Sequence, residues 1–222
     1  MLNQQPDFIH LIDLAHLHGK PVCVGGPDVS SSPHLYADAD FQVIGEAEQV
    51  IQHFIAAWER GERKGVFIAE KFKIDVTLSP MPRYDLIKFD HYLFIGVQYS
   101  RGCPFTCEFC DIIELYGRVP RTKTNDQILA ELQALYDHGY RGHVDFVDDN
   151  FIGNRKAALD LLPHLVEWQK KTGYVMRLAC EATLNIAKRP EILEKMREAM
   201  FETVFCGIET TDPEALKAIA KE

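Results

Sequence analysis

From Leu93 onward the chain repeats a strand-sized apolar run followed by a helical stretch four times, and this rhythm constrains the fold more than any other feature. The strand candidates are Leu93 to Tyr99, His143 to Val147, Val175 to Ala179 and Thr203 to Cys206. The helices between and after them fall near Asn125 to His138, Arg155 to Lys171, Pro190 to Met200 and Pro213 to Lys221. Strands joined by crossover helices run parallel, so the alternation predicts an open doubly wound sheet or a β/α barrel. The first sixty residues carry a shorter version of the same pattern. PDFIHLIDLAHLHGK has helical spacing that ends at Gly19, KPVCVGGPD reads as a short buried strand with a Gly-Gly-Pro stop, and a second strand at Phe41 to Ile44 precedes a helix from Glu46 to Glu59. Residues 61–91 interrupt the rhythm: GVFIAE is strand-like, but LSPMPRYDLIKFDHY holds two prolines and no period. The expected division is residues 1–60, a linker over 61–91, and a second α/β region over 92–222.

Composition enters as a set of exclusions. Hydrophobic residues at 46% and charged residues at 26% belong to a globular chain rather than a disordered or collagenous one. Lysine plus arginine number 24 against 33 acidic residues, a net charge of −9, which is the wrong sign for a broad nucleic-acid-binding surface. The longest nearly uncharged apolar stretch, Tyr92 to Tyr99, is strand-sized, whereas a membrane span needs about 20 residues. MLNQQPDF lacks the basic start and apolar middle of a secretory signal, so the cytoplasm is the default compartment.

Six cysteines are too few for a disulfide framework, and three of them lie between Cys103 and Cys110, directly after the first strand of the second region. Thiolates bind soft metals, and a short irregular loop can turn three sulfurs toward one centre. Two centres meet that description: an iron–sulfur cluster with one iron left open, or a closed zinc site with a histidine as fourth ligand. His91 and His138, the nearest histidines, stand at no recognised zinc spacing. Cys23, Cys180 and Cys206 sit in strands and read as buried packing residues. If the strands form a barrel, the cysteine loop shares the C-terminal rim with Asp148, Asp149 and Asn150 after HVDFV, Glu181 after VMRLAC, and Glu209 after TVFCG. Each of those polar residues also has a plain alternative, as a helix cap or a solvated loop residue.

GCPFTCEFC resembles the C-x-x-x-C-x-x-C signature of the radical S-adenosylmethionine (radical SAM) enzymes, including the aromatic Phe109 before the last cysteine. The resemblance implies that Cys103, Cys107 and Cys110 hold a 4Fe-4S cluster whose fourth iron is chelated by the methionine part of SAM. It implies reductive cleavage of SAM to methionine and a 5′-deoxyadenosyl radical, and an electron donor such as flavodoxin or ferredoxin. FVDDNFIGN stands where the family meets the SAM amino group, Glu181 in CEATLN where several members keep an acid for the ribose hydroxyls, and Glu209 in GIET on the fourth strand. Arg177 is a further residue that could meet the SAM carboxylate or serve an internal ion pair.

The opening region resembles the trailing half of a cobalamin-binding, Rossmann-like domain of the kind found ahead of radical SAM domains, on the strength of KPVCVGGPD and FQVIGEAEQV. Gly25, Gly26 and Gly45 would let the backbone approach a bound nucleotide tail. No Asp-x-His-x-x-Gly run is present, so a bound cobalamin would lack a histidine ligand from that motif. The fold expected is α/β: half of a Rossmann-like domain, then about four units of a (β/α)6 radical SAM barrel, with the chain read as a piece of a longer enzyme. Its function is then radical SAM chemistry on an unidentified substrate, with methyl transfer through cobalamin as one form of it. The competing reading is a non-catalytic scaffold in which the Cys103/Cys107/Cys110 loop holds zinc.

Overall fold

The computed structural model describes residues 4–220, in two compact units, Met1–Ile74 and Asp75–Glu222. In the first unit α1 (Gln5–Leu17) starts with a proline in its first turn and ends before Gly19, whose φ of +62° lets the chain reverse. There follow β1 (Cys23–Gly25), α2 (Pro27–Ser31), β2 (Phe41–Ile44), α3 (Ile51–Glu59) and β3 (Gly65–Ile68). The three strands form one parallel sheet in the order β1-β2-β3, with Cys23 opposite Phe41 and Phe41 opposite Gly65. β3 is the strand-like GVFIAE run, which lies inside the stretch expected as a linker. Its four residues pair in parallel with β2. The unit's buried residues fall into two small clusters, Ile12, Val24, Val29, Tyr36 and Ala39 in one and Val43, Val50 and Ala69 in the other.

The second unit contains β4 (Ile95–Val97), β5 (Ser100–Arg101), α4 (Ile112–Leu115), β6 (Arg121–Thr122), α5 (Asn125–Asp137), β7 (His143–Phe146), α6 (Arg155–Thr172), β8 (Arg177–Glu181), α7 (Pro190–Glu198), β9 (Phe201–Phe205) and α8 (Pro213–Ala218). Strands β4, β7, β8 and β9 are neighbours in that order and all parallel, an arrangement that fits the successive units of a partial barrel. The helices are placed by local chemistry. Thr124 and Gln127 form a reciprocal capping box at the start of α5, the Asn154 side chain accepts from the Ala157 amide at the start of α6, and Gly173, at φ +79°, ends α6. One contiguous core lies between sheet and helices; Phe146, Phe151 and Phe201 meet in it with ring centroids 5.1 to 5.4 Å apart.

The run expected as one strand from Leu93 to Tyr99 is shorter in the structure. The chain leaves the sheet after Val97, and Ser100–Arg101 instead pairs antiparallel with Arg121–Thr122. That two-stranded ribbon closes the neck of the loop that carries the three cysteines. Among the described residues, no helix is long and apolar enough to cross a membrane.

Candidate functional site

The site is assembled at the C-terminal ends of β4, β7 and β8. Asp148, two residues past the end of β7, is 1% exposed and spends both carboxylate oxygens on the chain that enters the cysteine loop. Oδ1 accepts the Tyr99 amide at 2.7 Å, and Oδ2 accepts the Ser100 amide at 2.9 Å and the Ser100 hydroxyl at 2.6 Å. Burial pushes its pKa up to about 7, against the pull of those three donors. Asp149 continues the clamp: its Oδ2 accepts the Gly102 amide at 2.7 Å. Burial raises this carboxyl too, opposed by that amide and by the nearby Arg101 and Arg121. The two aspartates therefore bind three amides of one short segment, which fixes where the loop begins.

Gly102 is required at that point. Its φ is +100°, and a Cβ there would lie 2.9 Å from the Gly117 carbonyl and 3.2 Å from those of Tyr116 and Val119. The close approach lets the Cys103 amide donate to the Gly117 carbonyl at 3.2 Å, which draws the far side of the loop back to its start. Asn150, 1% exposed, joins the loop to the exit of β8. Its Nδ2 lies 3.9 Å from the Cys103 sulfur and 3.4 Å from the Thr183 hydroxyl, and its Oδ1 accepts the Thr183 amide at 3.4 Å. The Phe105 amide also supports Cys103, but burial dominates and raises this thiol's pKa. The Cys110 amide bonds the Cys107 carbonyl at 3.1 Å, a tight turn, and the Glu108 amide bonds the Ile219 carbonyl at 3.0 Å.

All six cysteines are free thiols. Among the described residues, no three cysteine, histidine, aspartate or glutamate side chains converge closely enough to hold a metal ion. Cys103, Cys107 and Cys110 thus share one loop, each partly buried, without their sulfurs meeting at a point. As a donor set they fit an iron–sulfur cluster: three soft ligands on one irregular loop, with side-chain and backbone amides beside the first sulfur.

The other residues singled out in the sequence are distributed unevenly. Glu181 ends β8 as an exposed residue, and partial desolvation of its carboxyl together with the charges of Asp145 and Asp149 raises its pKa. Phe109 is 58% exposed on the loop. Glu209 has φ +61° and is the middle of a three-residue turn closed by the Thr210 amide and the Ile208 carbonyl at 2.7 Å, a strained form for a residue with a side chain. Arg177 pairs with Glu202 in an exposed ion pair.

Asp145 was missed. Pairing of Asp145 with Ala179 and Gly96, while Val144 and Phe146 enter the core, puts its carboxyl on the same face of the sheet as Glu181. The alternation of HVDFV held that signal. Ser100, Arg101 and Arg121 had none, because the aspartates they meet, Asp148 and Asp149, are distant in sequence.

In the first unit, the glycines have steric reasons. A Cβ on Gly25 would lie 3.1 Å from the Val43 carbonyl, and Gly45, at φ +85°, lies against Ala69. Gly26, at φ +97°, precedes α2, and the Ser30 hydroxyl ties the two turns together by donating to the Gly26 carbonyl and accepting the Gly45 amide, both at 2.8 Å. Of the three cysteines expected to be buried, Cys180 is (1% exposed), Cys206 is half-buried and Cys23 is exposed. Cys23 lies on the edge strand β1, whose one buried residue is Val24, and it lines an open groove with Phe41, Phe54 and Trp58.

Residues 97–222 match the model of the Radical SAM superfamily. The chain is 57% identical to the hopanoid C-2 methylase of Rhodopseudomonas palustris over 94% of its own length and 40% of that protein's. It is 47% identical to an uncharacterized methyltransferase of Synechocystis over its full length and 41% of the relative's. The solved structure of the radical SAM methyltransferase TsrM from Kitasatospora setae, with cobalamin and a [4Fe-4S] cluster bound, superposes with a TM-score of 0.78 at 18% identity, over 96% of this chain and 47% of that one. The chain therefore spans less than half the length of these relatives.

Proposed function

The chain belongs to the radical SAM superfamily, and from that premise we propose that it supplies the cluster- and SAM-binding part of a cobalamin-linked methyltransferase that acts on a polycyclic hydrocarbon of the hopanoid class. The observation that carries the reading is the cysteine loop, set at the C-terminal rim of a parallel β/α sheet by Asp148, Asp149 and Asn150 in a chain with this family match. Cys103, Cys107 and Cys110 are the cluster ligands. When bound, the cluster supplies the electron that cleaves the sulfonium of SAM to methionine and a 5′-deoxyadenosyl radical.

The chain's own residues have separable tasks in this reading. Asp148 holds the loop entrance with both oxygens engaged, and Asp149 supports it through the Gly102 amide. Asn150 orients the first thiolate. Glu181, exposed at the rim, accepts the ribose hydroxyls, and Glu209 and Phe109 are further SAM contacts in this reading. The glycine turns at Gly25, Gly26 and Gly45 are where the first unit admits the nucleotide tail of cobalamin. The hopanoid assignment rests on the relative that is 57% identical, and the exposed apolar side chains Val147, Leu184, Phe205 and Ile208 near the strand exits suit a hydrocarbon.

Anaerobic reconstitution with iron and sulfide tests the ligand set directly. The protein is expected to turn brown, with broad absorbance near about 400 nm, and Cys107→Ala to lose that absorbance. A colourless protein that binds zinc stoichiometrically would establish the scaffold reading instead. The substrate class is tested with the complete gene, expressed in a hopanoid-producing host that makes no methylated hopanoid: extracted lipids should gain a methylhopanoid, and their absence with a loaded cluster overturns the hydrocarbon assignment.

A further inference from the structure

Beside the cysteine loop lies an open cleft of about 650 Å³. Pro104 and Phe105 of the loop form part of its wall, and the start of α6 supplies Asn154, Arg155 and Lys156, with Arg189 completing the cationic side. Gly153 lies where the two walls meet: a Cβ there would stand 3.2 Å from the Pro120 ring and 3.4 Å from that of Pro104. The lining carries three cations and no carboxylate, in a chain whose net charge is −9. Among the described residues, Arg155, Lys156 and Arg189 take part in no ion pair.

The position of two of these cations is unfavourable by itself. Arg155 and Lys156 open an 18-residue helix whose first turn holds no acid, so both stand at the positive end of the helix dipole. Negative charge docked against them relieves both the mutual repulsion and the dipole. The cleft also presents apolar surface, with Val119 75% exposed beside Phe105 and Leu159. A small anion has no use for that surface, whereas a protein interface combines an apolar centre with complementary charge at its edge.

We propose that this cleft is the docking surface for an acidic electron-carrier protein, whose carboxylates pair with Arg155, Lys156 and Arg189 and whose redox centre is thereby brought beside the cysteine loop. The inference rests on the reading that the loop holds a cluster. The balance is one electron: the reduced carrier is oxidised by one, and the electron passes to the cluster and on to the carbon–sulfur bond of SAM.

The test compares the reconstituted protein with the triple variant Arg155→Glu, Lys156→Glu, Arg189→Glu, all three positions being exposed and outside the proposed cluster and SAM contacts. A purified bacterial flavodoxin is the probe. Its binding is read by fluorescence anisotropy at low salt and at about 0.5 M salt, where such attraction is screened. Cluster bleaching is then timed with reduced flavodoxin and, separately, with dithionite. Binding and flavodoxin-driven bleaching should each fall at least tenfold in the variant and lose their salt dependence, while bleaching by dithionite stays unchanged. Arg155→Lys with Arg189→Lys should retain most of the binding. Unaltered flavodoxin binding overturns the proposal, as does a parallel loss of dithionite bleaching, which would make the cleft a small-anion site of the reaction itself. Failure to take up a cluster would strike the underlying reading, and the anisotropy measurement decides the docking surface without it.

Discussion

The two parallel sheets of this protein end in different ways. At the exits of β1 and β2 the turns are made by glycines and one bridging hydroxyl, Ser30, and the buried residues beneath them fall into two separate clusters. At the exits of β4, β7 and β8 buried carboxylates bind amides across the sheet, above one contiguous core that includes Phe146, Leu161, Leu178 and Ile192. The difference shows what each rim demands. A glycine turn leaves backbone exposed for a ligand to approach and costs little core, whereas a buried charged clamp is tolerable only on a rigid, dry foundation, because an unpaired buried carboxylate is expensive.

The contrast predicts unequal sensitivity to cavities. Phe146→Ala removes a ring that touches Phe151 and Phe201 and should cost about 3 to 5 kcal/mol in chemical denaturation. Val43→Ala in the smaller cluster should cost about 1.5 kcal/mol, the value of two buried carbons. Similar losses at both positions would break the distinction between the cores.

A second prediction sharpens the contrast between the rims. Asp148→Asn leaves at least one of the Tyr99 and Ser100 donors facing an amide NH2, and should destabilise the second unit by about 2 kcal/mol. The pH dependence fixes the sign. Asp148 holds its proton more tightly in the fold, with a pKa of about 7, than in an unfolded chain, at about 3.9. Its contribution therefore favours the folded state fully below about pH 4, declines as pH rises through 7, and is flat above. The wild-type protein should lose stability between about pH 4 and pH 7, the interval between the two values, and the asparagine variant should show a shallower slope. An equal slope in the two proteins would mean that Asp148 does not titrate there.

The smallest effect is expected where the rim is open. Glu181→Ala removes an exposed carboxylate that takes no part in the clamp, so folding stability should change by less than about 0.5 kcal/mol. SAM binding by the reconstituted protein should weaken by about 1 to 3 kcal/mol, a ratio measurable by calorimetry. Unchanged affinity would remove Glu181 from the site and leave the rim with a structural role at that position.

Local signals in the sequence determined much of this protein. Helical spacing and the proline and glycine stops placed the helices within a few residues, because those preferences act over one or two turns of chain. The three cysteines within eight positions announced soft-ligand chemistry for the same reason: their meaning lies in their spacing. What the sequence could not hold was the function of residues whose partners lie far along the chain. Asp148 and Asp149 read as rim acids, yet they are spent on amides at Tyr99, Ser100 and Gly102, nearly fifty positions earlier. The ribbon of Ser100–Arg101 with Arg121–Thr122 formed through closure of the loop between them. The cationic cleft was equally unreadable, since Pro104, Arg155 and Arg189 are brought together by successive βα units. Propensity and spacing are properties of neighbouring residues, whereas burial, hydrogen-bond partners and electrostatic field belong to residues that meet only after the sheet has formed.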